Sequence, residues 1–207
     1  MSFPDAEHGF IAVLNSFFPE YNCTKLIELY EFFVSSFFKL MNKQRNISSI
    51  APELSGEDGW TEIEVFGSYG VGRPFITGDK SSDRIKVKYF KKESDNSFVA
   101  RVWFGPSTEG PPGHVHGGSL AAVLDEAMGA SAWIAGHSVV ALKITVKYRE
   151  MLPLGSVTTV EAWVSSVNGR KVLTKGKVFN EAGTVFTESE GLFINISPER
   201  FGEMTRH

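Results

Sequence analysis

Apolar and polar residues alternate along six segments of the chain downstream of residue 84. A period of two predicts strands that have one buried face. The six segments cover residues 85–89, 98–104, 140–148, 156–167, 171–180 and 184–196. Asn168-Gly169, between two of them, indicates a tight hairpin because both residues adopt positive φ at small cost. The pattern therefore predicts an antiparallel sheet whose last four strands form a meander.

One long segment between the second and third strands lacks this alternation. Residues 117–136 are rich in Ala, Leu and Met, which favours a helix of about five turns. A single helix beside an antiparallel sheet must bury one face against that sheet. The sequence therefore predicts an α+β domain at residues 84–198, with the core starting near Arg84 and a short C-terminal tail at 199–207.

Residues 1–83 predict a separate N-terminal extension. Apolar residues recur at helical spacing from Thr24 to about Lys43, so we expect an amphipathic helix at about 24–43. The polar face of this helix mixes acidic and basic residues, which favours packing on the domain or on a second subunit over binding to a membrane surface. The stretches 42–59 and 67–82 are polar or rich in Gly and Pro, and we expect linkers there.

Composition narrows the class of protein. The 207 residues are 42% hydrophobic and 22% charged, with a formal net charge of -3, which predicts a folded protein and argues against a nucleic-acid binder. No apolar run reaches the roughly 18 residues of a membrane span. The lone Cys23 and an acidic start without a legible targeting signal favour a cytoplasmic protein, with import into an organelle left open.

The segment GPPGHVHGGSLAAVLDEAMG, residues 110–129, concentrates the residues that could carry chemistry. Its His116-Gly117-Gly118 step enters the predicted helix. The first backbone N–H groups of a helix lack acceptors, so this step can bind a carbonyl oxygen or an oxyanion. Gly117 is the expected donor because glycine lets a ligand approach closely. Asp125 follows on a helix face with small neighbours, which a narrow substrate could reach.

The sequence HGGSLAAVLD, in which an Asp follows the His of an HGG by nine positions, resembles the signature of hotdog-fold acyl-CoA thioesterases. GPPG, VNGRK and GLFINISP are similar to the animal carboxy-terminal-modulator-like branch, whose relatives include the phenylacetate-pathway thioesterases. The resemblance covers roughly residues 84–198. It implies a hotdog fold, in which an antiparallel sheet wraps around one long central helix, and an active site between the two subunits of a homodimer or of a dimer of dimers.

The resemblance also implies roles for individual residues. Asp125 would be the general base for water or, alternatively, a nucleophile. The Gly117 N–H would polarise the thioester carbonyl, while His116 would shape the loop and contact the carbonyl. Coenzyme A is part of the substrate, and no further cofactor is implied. The expected substrate-binding residues are Gly118, Ala121, Ala122, Met128, Ser138, Ala141, Arg170 and Lys171.

Charge supports part of this set of substrate contacts. Residues 140–181 hold seven basic and three acidic side chains, and the phosphates of coenzyme A need basic partners. Arg170 and Lys171 lie in the VNGRK hairpin and are the expected contacts. Ala141 departs from the family pattern, because many relatives carry Ser or Thr at this position; Ser138 or His137, just upstream, is a candidate replacement.

Several alternatives stay open. The main function predicted is hydrolysis of acyl-CoA thioesters, and the alternative is a catalytically weak regulatory protein that binds acyl-CoA or lipid, which Ala141 favours. An enoyl-thioester hydratase on the same fold is a third possibility. No metal site is expected, because no further His or Cys completes a coordination sphere around His114 and His116. Glu126, next to Asp125, is expected to be an exposed or paired charge.

Overall fold

The structure is a computed structural model that describes residues 47–65, 74–77 and 83–204. The chain divides into two compact units, Met1–Asn46 and Ile47–His207, and the description below concerns the second. The amphipathic helix predicted at about 24–43 lies outside the described residues.

Within the described residues, seven strands form one sheet in which all neighbouring strands are antiparallel. The order across the sheet is β1-β2-β3-β5-β6-β7-β4. The strands are β1 (Trp60–Ile63), β2 (Ile85–Lys92), β3 (Phe98–Phe104), β4 (Val139–Tyr148), β5 (Val157–Asn168), β6 (Lys171–Phe179) and β7 (Val185–Asn195). The helices are α1 (Gly117–Ile134), α2 (Pro198–Met204) and a 3-10 turn (Pro106–Thr108). In the described part of the chain, neither α-helix has the length and apolar character needed to cross a membrane.

Helix α1 packs against one face of the sheet through strands β3 to β7. Its buried side chains are Leu120, Val123, Leu124, Ala127, Met128, Ala130, Ser131 and Ala132. Gly176 in β6 allows the helix to come close. A Cβ atom there would lie 3.0 Å from Leu124 Cδ2 and 3.3 Å from Met128 Cγ. The middle of α1 is therefore held tightly against the sheet.

The opposite face of the sheet carries ion pairs. Glu161 Oε1 lies 2.5 Å from Lys92 Nζ, and Glu161 Oε2 lies 2.9 Å from Lys177 Nζ. Arg101 is buried between strands: it donates to Thr159 Oγ1 at 2.9 Å and stacks over the Trp60 ring. This face holds a large part of the basic residues that the sequence singled out, several of them neutralised by neighbouring carboxylates.

Two features of the sheet correct the prediction. Strand β1 begins at Trp60, well before the core start expected near Arg84. Strands β5, β6 and β7 form the expected meander, but β4 does not pair with β5. It lies beyond β7, at the edge of the sheet. The predicted four-strand meander is therefore wrong in the placement of its first member, and the tail expected at 199–207 includes most of helix α2.

Local details of β4 and of the β5–β6 hairpin also differ from the pattern. A register shift between Ala141 and Lys143 turns Val140 to the ion-paired face, although the sequence grouped Val140 with Ile144 and Val146. The hairpin exists as predicted, but Asn168 is the last residue of β5. Of the two central turn residues, Gly169 and Arg170, only Gly169 has a positive φ, at 56°. A positive φ at the first central position is typical of a type II′ turn.

Candidate active site

The loop that precedes α1 is held by backbone hydrogen bonds at several points. The His116 N–H donates to the Thr108 carbonyl at 2.7 Å, and the Gly110 N–H donates to the His114 carbonyl at 2.9 Å. A Cβ atom at Gly110 would lie only 2.7 Å from His116 Cα, so only glycine fits at this crossing. The Val115 N–H bonds to the Leu152 carbonyl at 2.8 Å. The glycine and proline composition of the loop thus builds a fixed entrance to the helix.

His116 is the N-cap of α1. Its Nδ1 accepts the Gly118 N–H at 2.9 Å, which satisfies one of the orphan donors of the first turn. An accepting Nδ1 in a neutral imidazole leaves the proton on Nε2. Gly118 is therefore not a free donor. The Gly117 N–H, by contrast, has no acceptor among the described residues.

Tyr148, at the end of β4, lies against Gly117. Its hydroxyl donates to the Gly117 carbonyl oxygen at 2.9 Å. A Cβ atom at Gly117 would meet the tyrosine ring and hydroxyl at 3.0 to 3.1 Å. The sequence analysis did not assign this residue to the site. The available signal was the alternation of β4, which places Tyr148 on the same face as Ile144 and Val146.

Asp125 lies near the middle of α1 and is half-buried. It has neither a hydrogen bond nor an ion pair with any described residue. Burial raises the pKa of its carboxyl above the usual value of 3.8. A half-buried carboxylate without a protein partner is available to bind or deprotonate a small ligand.

The neighbouring Glu126 has a different environment. It accepts a hydrogen bond from the Tyr89 hydroxyl on β2. Burial raises the pKa of Glu126 from 4.5 to about 7. The expectation of an exposed charge is wrong, because the side chain is half-buried. The contact to Tyr89 is a hydrogen bond from a neutral hydroxyl and not an ion pair.

The two principal candidate residues lie on the same helix but are not adjacent on it. Gly117 and Asp125 are eight residues apart on α1, which corresponds to about 12 Å along the axis and about 80° around it. The amide and the carboxylate of one chain therefore do not meet at a single carbonyl group.

Comparisons with known proteins show which family the chain resembles. A family model described as thioesterase superfamily matches residues 112–187, which include the HGG segment and α1. This part of the chain is therefore similar to the thioesterase superfamily. Acyl-coenzyme A thioesterase THEM4 of Xenopus laevis is 32% identical over 126 residues, which are 59% of this chain and 57% of that protein. Acyl-coenzyme A thioesterase THEM5 of Mus musculus is 27% identical over 168 residues, which are 71% of this chain and 68% of that protein. The match to the frog relative thus spans less than two thirds of its length.

Solved structures share the fold of this chain. A thioesterase superfamily protein of known crystal structure aligns with a TM-score of 0.56 at 24% identity and covers 94% of this chain and 91% of its own. A hypothetical thioesterase protein from Streptococcus pneumoniae, crystallised with coenzyme A, aligns with a TM-score of 0.50 at 16% identity and covers 56% of this chain and 88% of its own. The antiparallel sheet with one long helix agrees with the predicted hotdog fold.

The remaining predicted residues occupy three places in the described part of the chain. Ala121 and Ala122 are half-buried on α1, whereas Met128 is 0% exposed and packs in the core. Ala141 lies on β4 and pairs with Phe193 of β7, on the helix-facing side of the sheet. Ser138 precedes β4, and its carbonyl accepts the Ile196 N–H at 2.7 Å. Their contacts with a substrate stay predictions.

Arg170 and Lys171 are exposed at the hairpin between β5 and β6. Arg170 Nε donates to the Asn195 carbonyl at 3.3 Å, and Asn195 pairs with Val139 at the start of β4. This end of the sheet lies near the C-terminal end of α1, far along the helix from Gly117. Within one chain, the basic hairpin and the HGG turn are not brought together. Among the residues that the structure describes, no three His, Cys, Asp or Glu side chains form a metal-binding group.

Proposed function

We propose that this protein hydrolyses acyl-CoA thioesters to a free acid and CoA. The activity is stated for the curated relatives by their names. The observation that carries the proposal for this chain is the state of Asp125, which is half-buried, has no partner among the described residues and has a raised pKa. It lies on the same helix as Gly117, an amide donor without an acceptor in the described part of the chain.

The proposed reaction uses these two groups for different steps. The Gly117 N–H donates to the thioester carbonyl oxygen and stabilises the negative charge that develops there. Asp125 takes a proton from a water molecule, whose oxygen attacks the carbonyl carbon. The tetrahedral intermediate collapses, the carbon–sulfur bond breaks, and the proton held by Asp125 passes to the leaving thiolate. The products are the carboxylic acid and the thiol of CoA. An Asp125 carboxylate that attacks the carbonyl directly is the alternative route.

The separation of the two groups supports a site shared by two copies of the chain. Strand β4 pairs only with β7 among the described residues and leaves its other edge open. That strand exposes Val140 by 39% and Leu142 by 63%, and an open apolar edge favours pairing with another strand. A twofold pairing along β4 would set the Gly117 of one copy beside the Asp125 of the other. A fully active monomer at assay concentrations would contradict this homodimer, whether alone or within a dimer of dimers.

Substitution of Asp125 tests the reaction. The assay is thiol release from short, medium, long and aryl acyl-CoA esters. Asp125→Asn keeps the shape and removes the base, so we expect kcat to fall by about 10²–10⁴. Glu126→Gln is the matched control, because it makes the same chemical change one residue along the helix, and its rate should stay within about threefold of wild type.

Equal rates for wild type and Asp125→Asn would contradict the proposal. The second candidate, a regulatory protein that binds acyl-CoA with little turnover, is favoured by Ala141, which places a methyl group where a hydroxyl could hold water. It predicts calorimetric binding of acyl-CoA without thiol release. A hydratase would instead consume an enoyl-CoA without releasing thiol.

A further inference from the structure

The Gly117 amide needs to be held in place if it is to act as an oxyanion donor. Glycine has no side chain that could anchor it, and it is the first residue of α1. Its two neighbouring polar groups are fixed from outside the helix. His116 Nδ1 binds the Gly118 N–H at 2.9 Å, and the Tyr148 hydroxyl binds the Gly117 carbonyl at 2.9 Å.

The ring of Tyr148 also limits where Gly117 can move. The position of a Gly117 Cβ would lie 3.0 Å from Tyr148 Cζ and 3.1 Å from its hydroxyl oxygen, so the ring lies directly beside the glycine. The tyrosine is nevertheless 55% exposed. A hydrogen bond at such an exposed site adds little to the stability of the fold, which separates its effect on the site from an effect on folding.

We propose that Tyr148 is a positioning residue for the thioesterase reaction, which restrains Gly117, and with it the Gly117 N–H, by holding the carbonyl oxygen of the same residue and placing its ring beside the α-carbon. This inference rests on the proposed function and adds to it a residue on β4. Small displacements of an oriented group reduce rates strongly without a matching loss of substrate binding. We therefore expect loss of this contact to lower kcat and to leave KM nearly unchanged.

The first test is Tyr148→Phe, which removes the hydroxyl and keeps the ring. We expect kcat to fall about tenfold, less than the loss of a direct oxyanion donor, with KM within about twofold. The melting temperature should stay unchanged. Thr145→Val is the matched control, because it removes a hydroxyl from the ion-paired face of the same strand, and it should keep the wild-type kcat.

A double-mutant cycle gives a second readout that a merely structural role would not move. Gly117→Ala forces a Cβ against the tyrosine ring and breaks the contact from the other side. If the contact acts as proposed, adding Tyr148→Phe to Gly117→Ala lowers kcat by less than about twofold further. A further tenfold loss would show independent effects and overturn the proposal.

The outcomes separate this proposal from the proposed function. If wild type releases thiol, Asp125→Asn does not, and Tyr148→Phe equals wild type, the positioning role is wrong while the function stands. A fall in melting temperature that accounts for the whole loss of activity would also overturn it. If wild type and Asp125→Asn do not differ, the proposed function itself fails.

Discussion

The first turn and the middle of helix α1 differ in how far their polar groups are paired. In the first turn, the Gly118 amide, the Gly117 carbonyl and the His116 amide each have a hydrogen-bond partner within the chain. In the middle, Asp125 has none among the described residues, although it is half-buried. Buried polar groups are normally paired in folded proteins. Under the proposed function, the paired groups hold the first turn in place, while the Gly117 N–H and Asp125, which have no partner among the described residues, are left to contact the substrate.

The largest expected effect is on the pH dependence of the reaction, which tests the role of the unpaired Asp125. A general base works only when it is deprotonated, so activity is lost as pH falls through the pKa of Asp125. Because burial holds that pKa above 3.8, the acid limb of the kcat/KM profile should have its midpoint above pH 3.8. Below that midpoint, kcat/KM should fall about tenfold per pH unit. The measurement is thiol release from about pH 4 to 8.

The Asp125→Asn variant should lose this limb, whereas Glu126→Gln should keep it. If the acid limb lay near neutrality and disappeared only in Glu126→Gln, the titrating carboxyl would be that of Glu126. This result would contradict the role of Asp125.

A smaller effect is expected on stability from Glu126. Its pKa is 4.5 in an ordinary environment and about 7 in the fold, so the folded state retains a proton that the unfolded chain releases. The free energy of unfolding therefore decreases as pH rises from about 4.5 to about 7. Glu126→Gln removes this penalty and should raise stability by about 1–3 kcal/mol at pH 8. The gain should vanish near pH 4, below both pKa values.

Urea unfolding at both pH values measures this difference. An equal change at the two pH values would show that packing against Tyr89, and not ionisation, determines the effect.

The smallest effect concerns the N-cap. His116→Ala leaves the Gly118 amide without its acceptor and should lower the free energy of unfolding by about 1 kcal/mol. His116→Asn offers a good capping side chain in its place and should recover most of the loss. Urea unfolding of both variants checks this, and identical destabilisation by Ala and Asn would mean that His116 acts through loop packing alone.

Local patterns in the sequence were sufficient for the elements near the site. The alternation located six strands, the change of pattern located α1 to within two residues of its end, and Asn168-Gly169 located the hairpin. The HGG segment correctly indicated a helix start with an open amide. These features depend on neighbouring residues, which is why a single sequence contains them.

Features that depend on distant residues were not predictable in this way. Strand β1 has only four residues, half of them exposed, and is defined by its pairing with β2. The edge position of β4 follows from its pairing with β7, whose partner residues lie 39 to 56 positions later in the chain. The register shift near Leu142 reversed the face of Val140, and no periodic pattern announces such a shift. The contact of Tyr148 with Gly117 joins residues 31 positions apart.

Because the amide and the carboxylate are spaced apart along one helix, a substitution has distinct effects in a pair made of one mutant and one wild-type chain. In the proposed pair of chains, each chain supplies the donor of one catalytic centre and the base of the other. A defect in a single chain then damages both centres of a mixed pair if it affects both groups, but only one centre if it affects a single group. The two centres are thus independent in chemistry, and they are linked because the α1 helix of each chain supplies one group to each of them.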